Sequence, residues 1–207
     1  MADYKLFVPF VLKWEGGWAD DKDDRGGKTN MGITYSTYKT LSSKVLGVSP
    51  SLERFKALTK QQAAIFVKWF WDKATYRNSI KSQAVAESIT SWYWGSGSYG
   101  IKQWQRMLRD VFKKNISVDG VVGSQTISAT NSIPENKLVP AAIEYRGKTF
   151  KQITLNDSSQ VRFLKGWMNR LNDFAQRHSS LIKKSAVIGT PILLIATGLA
   201  FFFLNLN

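Results

Sequence analysis

The sequence predicts a mainly α-helical fold with one small β-hairpin or loop near the N-terminus and a membrane-spanning helix at the C-terminus. Three observations carry this. Apolar residues recur at helical spacing over most of residues 3–182. Predicted strand content is small, and no internal repeat of solenoid length is visible. Residues 186–204 form an uncharged run of 19 residues that is apolar on all sides, long enough to cross roughly 30 Å of hydrocarbon as a helix.

The elements follow in order. Residues 3–14 place Phe7, Phe10, Val11 and Trp14 at helical spacing, with Pro9 as the one obstacle. Asp3, Lys5 and Lys13 interrupt this stretch, and no small-residue cleavage pattern follows, so it is not a signal peptide. Residues 19–35 are polar and Gly-rich, an irregular loop or short hairpin leading into Met31-Gly32-Ile33-Thr34. Residues 36–47 and 51–58 are short helices. Thr59 caps a strong helix from Lys60 to about Arg77, whose stripe Ala63, Phe66, Val67, Phe70, Trp71 and Ala74 is core. A helix over 81–94 ends in a Gly/Ser turn at 95–100, and a further helix covers 101–113. Asp119-Gly120 reads as a compact turn, and Ser124 caps a helix through about Ala129. Two longer helices run from Pro134 to about Phe150 and from about Ser158 to Ile182. In the last run, Arg177, Lys183 and Lys184 precede the apolar segment, which places the N-terminal domain in the cytoplasm by the positive-inside rule.

Composition narrows the chemistry. The 207 residues suit one domain of ordinary size plus an appendage. Cysteine is absent, which excludes disulfides, thiolate metal sites and a thiol nucleophile. The single histidine, His178, lies just before the apolar tail, so neither a multi-histidine metal site nor a Ser-His-Asp triad is expected. The net charge of +14 favours a polyanionic partner, whether nucleic acid, anionic lipid or an acidic wall polymer. Basic residues are spread along the chain without a dense block, so nothing beyond their sign argues for nucleic acid, and no nucleic-acid partner is assigned.

The stretch Lys13-Trp14-Glu15-Gly16-Gly17-Trp18 sets a carboxylate between two indoles and follows it with two glycines. A carboxyl group among aromatic rings is poorly solvated as an anion, and burial favours the protonated acid that glycoside cleavage requires. The glycines leave room for a bulky substrate beside the acid. The alternative is a helix ending at a Gly C-cap, with Glu15 on its solvent face. Asp20, Asp21, Asp23 and Asp24 follow in the polar loop. Alternating aspartates can ligate calcium, but the necessary Gly and distal Glu are out of register, so no metal and no cofactor are expected.

These residues resemble glycoside hydrolase family 108, the bacterial and phage lysozyme-like muramidases. The likeness begins in Trp14-Glu15-Gly16-Gly17-Trp18 and continues through Asp24-Arg25-Gly26-Gly27-Lys28-Thr29-Asn30-Met31-Gly32-Ile33-Thr34. Trp94-Gly95-Ser96-Gly97 stands where the family has an Asn-Ser-Gly-type turn, and Trp104-Gln105 where it has Leu-Gln. Val118-Asp119-Gly120-Val121-Val122-Gly123-Ser124-Gln125-Thr126 is similar to the Asp-Gly-x-x-Gly-x-x-Thr element of the associated peptidoglycan-binding-like region. Phe163-Leu164-Lys165-Gly166-Trp167-Met168-Asn169-Arg170 is similar to the Gly-Trp-x-Asn-Arg segment near the family's C-terminus.

The resemblance covers about residues 5–175. It implies a lysozyme-like catalytic region over 1–95 and a helical peptidoglycan-binding-like region over 96–182, with the apolar segment 186–204 beyond both. It makes Glu15 the acid that protonates the glycosidic oxygen between N-acetylmuramic acid and N-acetylglucosamine. Asp24, nine residues on, and Asn30, six further, are spaced like the Glu, Asp and Thr of phage-type lysozymes. Asp24 is then the second catalytic group, with Asp20, Asp21 and Asp23 competing for that position. Asn30 or Thr34 would hydrogen-bond the attacking water, although an amide cannot act as a base. Trp18, Tyr76, Trp94 and Tyr99 are the expected sugar-stacking residues, while Asp119 is expected to bond its own backbone. The expected activity is thus a bacteriolytic peptidoglycan hydrolase held at the inner membrane by its tail and acting on periplasmic murein. The alternative is a non-catalytic, membrane-tethered wall-binding module. Oligomeric state is not readable from the sequence.

Overall fold

Pro9 decides how the chain begins. In the computed structural model, which describes residues 1–20 and 27–186, a 3-10 turn over Tyr4–Leu6 precedes helix α1, Val8–Trp14. Pro9 falls in the first turn of α1, where its missing N–H needs no partner. A two-stranded antiparallel hairpin follows, β1 (Thr29–Asn30) and β2 (Ile33–Thr34), with Thr29 opposite Thr34 and Asn30 opposite Ile33. Its two-residue turn puts Met31 and Gly32 at φ 48° and 73°, the left-handed pair that matches the strand twist. Thr34 then caps α2 (Tyr35–Leu46) by accepting the Thr37 N–H at 3.0 Å, and Ser51 caps α3 (Leu52–Lys56).

Helix α4, Lys60–Ala74, opens with a reciprocal capping box between Thr59 and Gln62. All six residues of its predicted apolar stripe are buried. Each fully buried large side chain there adds about 1.5–3 kcal/mol to the driving force for folding. The helix ends three residues before the predicted Arg77, because Tyr76, Arg77 and Asn78 all take left-handed φ.

The two helices expected on either side of the Gly/Ser turn are nearly one, α5, Gln83–Asp110. Gly97 breaks its backbone at φ 54°, ψ −141°, a conformation open only to glycine, so the turn survives as a sharp kink. Helix α6 (Ser124–Asn131) follows the Asp119-Gly120 turn, which Gln105 of α5 holds at both ends. The Gln105 Nε2 donates to Asp119 Oδ1 at 2.8 Å, and its Oε1 accepts the Gly120 N–H at 2.8 Å. Asp119 also accepts the Val121 N–H, and these bonds hold its carboxyl below the usual carboxylate range, as a turn residue.

Helix α7 runs from Glu135 to Asn156, past the predicted Phe150. The expected final helix is divided at His178 into α8 (Val161–Arg177) and α9 (Ser179–Ala186). One apolar core joins α1, α4, α5, α6 and α7, with Phe174 of α8 closing it. Among the described residues no helix is long and apolar enough to cross a membrane. The predicted span 186–204 lies outside them apart from Ala186.

Candidate active site

Glu15 is the residue at which α1 stops, its backbone extended at φ −92°, ψ 116°. That change of direction carries its side chain over the hairpin turn and into a cleft of about 780 Å³. The side chain is 10% exposed, and its carboxyl group lies directly above Gly32. A Cβ at position 32 would stand 2.1 Å from the Glu15 carboxyl carbon, so only glycine leaves space for the acid.

The neighbours of Glu15 differ from those expected. Trp14 turns to α8, its indole N–H donating to Asp173 Oδ2 at 2.6 Å beside the Lys13 ammonium at 2.8 Å. Burial works to raise the Asp173 carboxyl, but these two donors prevail and hold it below the usual range. Trp18 packs edge-on against Phe55, with Lys56 4.9 Å from its ring. The indole on Glu15 is instead Trp94, whose Nε1–H donates to Oε1 at 2.9 Å. Arg170 of α8 donates to the same oxygen at 2.7 Å. The acid of α1 is therefore held by one donor from α5 and one from α8, 79 and 155 residues away.

The other predicted residues divide. Thr34, Trp94 and Tyr99 line the cleft with Glu15, Gly16 and Gly17. Thr34 has its hydroxyl engaged as the α2 cap and on Thr37. Asn30 is buried away from the cleft, its amide donating to the carbonyls of Phe55 and Lys56 at 2.7 and 3.0 Å, so it ties the hairpin to α3 and faces no substrate. Tyr76, in the left-handed turn after α4, and Trp18 do not line the cleft. Asp21, Asp23 and Asp24 lie outside the described residues, and Asp20 pairs with Lys28 at 2.7 Å. Among the described residues no cluster of three or more acidic or histidine side chains is arranged to hold a metal.

Sequence reasoning missed the far wall. Helices α7 and α8 contribute Arg146, Phe150, Trp167 and Arg170 to the cleft. The Phe150 and Trp167 rings lie 5.3 Å apart, and Phe163 stacks on Trp167 at 6.1 Å. This is an aromatic surface of the kind on which sugar rings stack. Trp167 and Arg170 stand three apart in the Gly-Trp-Met-Asn-Arg segment, which puts both on one helix face. That spacing was the available signal.

Comparison with known proteins agrees with this geometry. Residues 8–97 match the family described as Glycosyl hydrolase 108, and residues 99–172 match the family described as Predicted Peptidoglycan domain. The fold is similar to the solved structure of Brucella abortus SagA, with a TM-score of 0.67 at 26% identity over 88% of this chain and 97% of that one. A comparison with curated proteins found no match. The two matched segments meet at the α5 kink, and the cleft runs between the elements they contribute. The chain therefore joins a glycosyl hydrolase 108 segment, residues 8–97, to a peptidoglycan domain, residues 99–172, a pairing that supports a peptidoglycan-directed glycoside hydrolase.

Proposed function

We propose that the protein is a muramidase that cuts the bond between N-acetylmuramic acid and N-acetylglucosamine, with Glu15 as its general acid. The observation that carries this is the placement of Glu15 in a cleft of about 780 Å³, walled on one side by the hairpin and on the other by Phe150 and Trp167. In the reaction the bond from the muramyl C1 to the glycosidic oxygen breaks. The proton of Glu15 goes to the departing oxygen. Water supplies the new hydroxyl at C1 and gives up a proton. Asp24 is our proposal for the second carboxylate, on its nine-residue spacing from Glu15. Trp94 is best placed to orient Glu15 through its indole N–H. Mass spectrometry of murein digested by the protein should show muropeptides ending in reducing N-acetylmuramic acid. Fragments ending in reducing N-acetylglucosamine would overturn the bond assignment, and murein binding with no new reducing ends would leave the non-catalytic reading.

We further infer that residues 186–204 tether the enzyme to the inner membrane with its N-terminal domain in the cytoplasm until release. The support is the uncharged 19-residue run and the basic residues before it. In intact spheroplasts the domain should resist external protease, and its digestion from outside would refute that orientation.

A further inference from the structure

Three charged side chains line the cleft among the described residues, Glu15, Arg146 and Arg170, so two cations face one anion. Arg146 has no acidic partner among the described residues. Its guanidinium donates to the Ser91 hydroxyl at 2.8 Å and to the Ser91 carbonyl at 3.0 Å, and its flat faces meet Trp92 and Phe150 at 5.7 and 5.4 Å. Desolvation, reinforced by the charge of Arg170, lowers it to about 9. Arg170 spends one nitrogen on Glu15, while its Nε and Nη2 are buried with no hydrogen-bond partner among the described residues. Leaving such donors without acceptors destabilises the empty site, because a buried N–H keeps its full desolvation cost. Two guanidiniums with spare donors beside one cleft make a receptor for a carboxylate, which Arg binds in a two-pronged fashion.

Resting on the muramidase reading, we propose that Arg146 and Arg170 recognise a carboxylate carried on the O3 arm of the muramyl residue, and that this carboxylate draws Arg170 away from Glu15. The arm is a lactyl ether. Its own carboxylate is free when the peptide stem is absent, and the stem supplies carboxylates when it is present. Neutral polymers of N-acetylglucosamine have neither. Arg170 and Trp94 both donate to Glu15 Oε1, whereas a general acid must itself present a proton to the glycosidic oxygen. Transfer of Arg170 to the substrate carboxylate frees Glu15 to take a proton from solvent and pass it to the glycosidic oxygen. Arg146 is thus a specificity residue, and Arg170 couples recognition to the acid.

The test uses the full chain and three substrates: intact murein, amidase-stripped glycan strands with free lactyl carboxylates, and the same strands after their carboxylates are converted to methylamides. The wild type should cut the methylamide strands with a KM raised about tenfold to a hundredfold over that for stripped strands. Arg146→Met should raise KM on stripped strands by a similar factor and remove the difference between the two, while Arg146→Lys restores part of it. A preference for intact murein over stripped strands would assign the stem carboxylates as the ligand, and the reverse the lactyl group. Independently of cleavage, N-acetylmuramic acid should quench the tryptophan fluorescence of the wild type at concentrations where N-acetylglucosamine does not. Equal quenching by the two sugars, or equal KM on amidated and unamidated strands, overturns the proposal. Failure of the wild type to cut any murein would instead remove the muramidase reading, and the fluorescence comparison would still decide the anion site.

Discussion

Glu15→Gln is expected to abolish clearing of a murein suspension, with turnover falling about a hundredfold to ten-thousandfold, the range that a positioned acid contributes. The substitution keeps the shape of the side chain. The amide oxygen can still accept the Trp94 indole N–H, so the position above Gly32 is preserved. What is lost is the transferable proton, and with it the charge that Arg170 now faces at 2.7 Å. A thermal melt alongside the clearing assay separates a lost acid from a lost fold. Undiminished clearing by a folded Glu15→Gln protein would remove Glu15 from the mechanism and with it the reason for the cleft's geometry.

Glu15, our proposed acid, stood out in its local sequence, but its surroundings did not. Trp14 and Trp18 flank Glu15 in sequence, and the expectation of an indole sandwich treats neighbours in the chain as neighbours in space. Glu15 leaves α1 with an extended backbone, so adjacent side chains diverge, and both indoles find other partners. The residues that do meet Glu15, Trp94 and Arg170, arrive from α5 and α8, and no spacing rule links positions that far apart. Helices with a strong apolar period were readable. The α4 stripe is buried residue for residue, because six large or small apolar side chains at a 3.6-residue period have one way to leave water. Breaks were harder. Gly97 kinks α5 without ending its hydrogen-bonded run, whereas His178 divides what looked like one uninterrupted helix. Asn30 was misjudged for a related reason. A buried amide between two strands more often satisfies loop carbonyls than faces a substrate, and here it satisfies those of Phe55 and Lys56.

Glu87→Gln is expected to be the most destabilising single change outside the apolar core. Glu87 is fully buried in α5, and its carboxylate accepts from Arg177 Nε at 2.7 Å, Arg177 Nη2 at 2.8 Å and Gln83 at 2.8 Å, with His178 Nε2 at 3.0 Å. Arg177 also reaches the Leu6 carbonyl at 2.8 Å, so this one carboxylate joins α5, the end of α8 and the N-terminal turn. Burial alone would raise the Glu87 carboxyl, but the Arg177, His178 and Gln83 bonds prevail and bring it to about 2. Removing one partner of a buried pair costs about 3–5 kcal/mol, or a melting temperature lowered by about 10 °C in a domain of this size. The pH dependence has a definite sign. The folded value lies below the unfolded one, so the stabilisation is fully present above about pH 4.5 and is lost as pH falls toward about 2. The gap in melting temperature between wild type and Glu87→Gln should therefore be largest near neutrality and shrink across that acid window, and a constant gap would refute the linkage. The consequence reaches the cleft, because Arg170 lies two turns before Arg177 on the same helix. A loosened α8 end shifts Arg170 and Trp167 out of the cleft wall that receives substrate, so Glu87→Gln should lose clearing activity at temperatures below its own melting point. Activity that instead tracks the folded fraction alone would show that the two ends of α8 act independently.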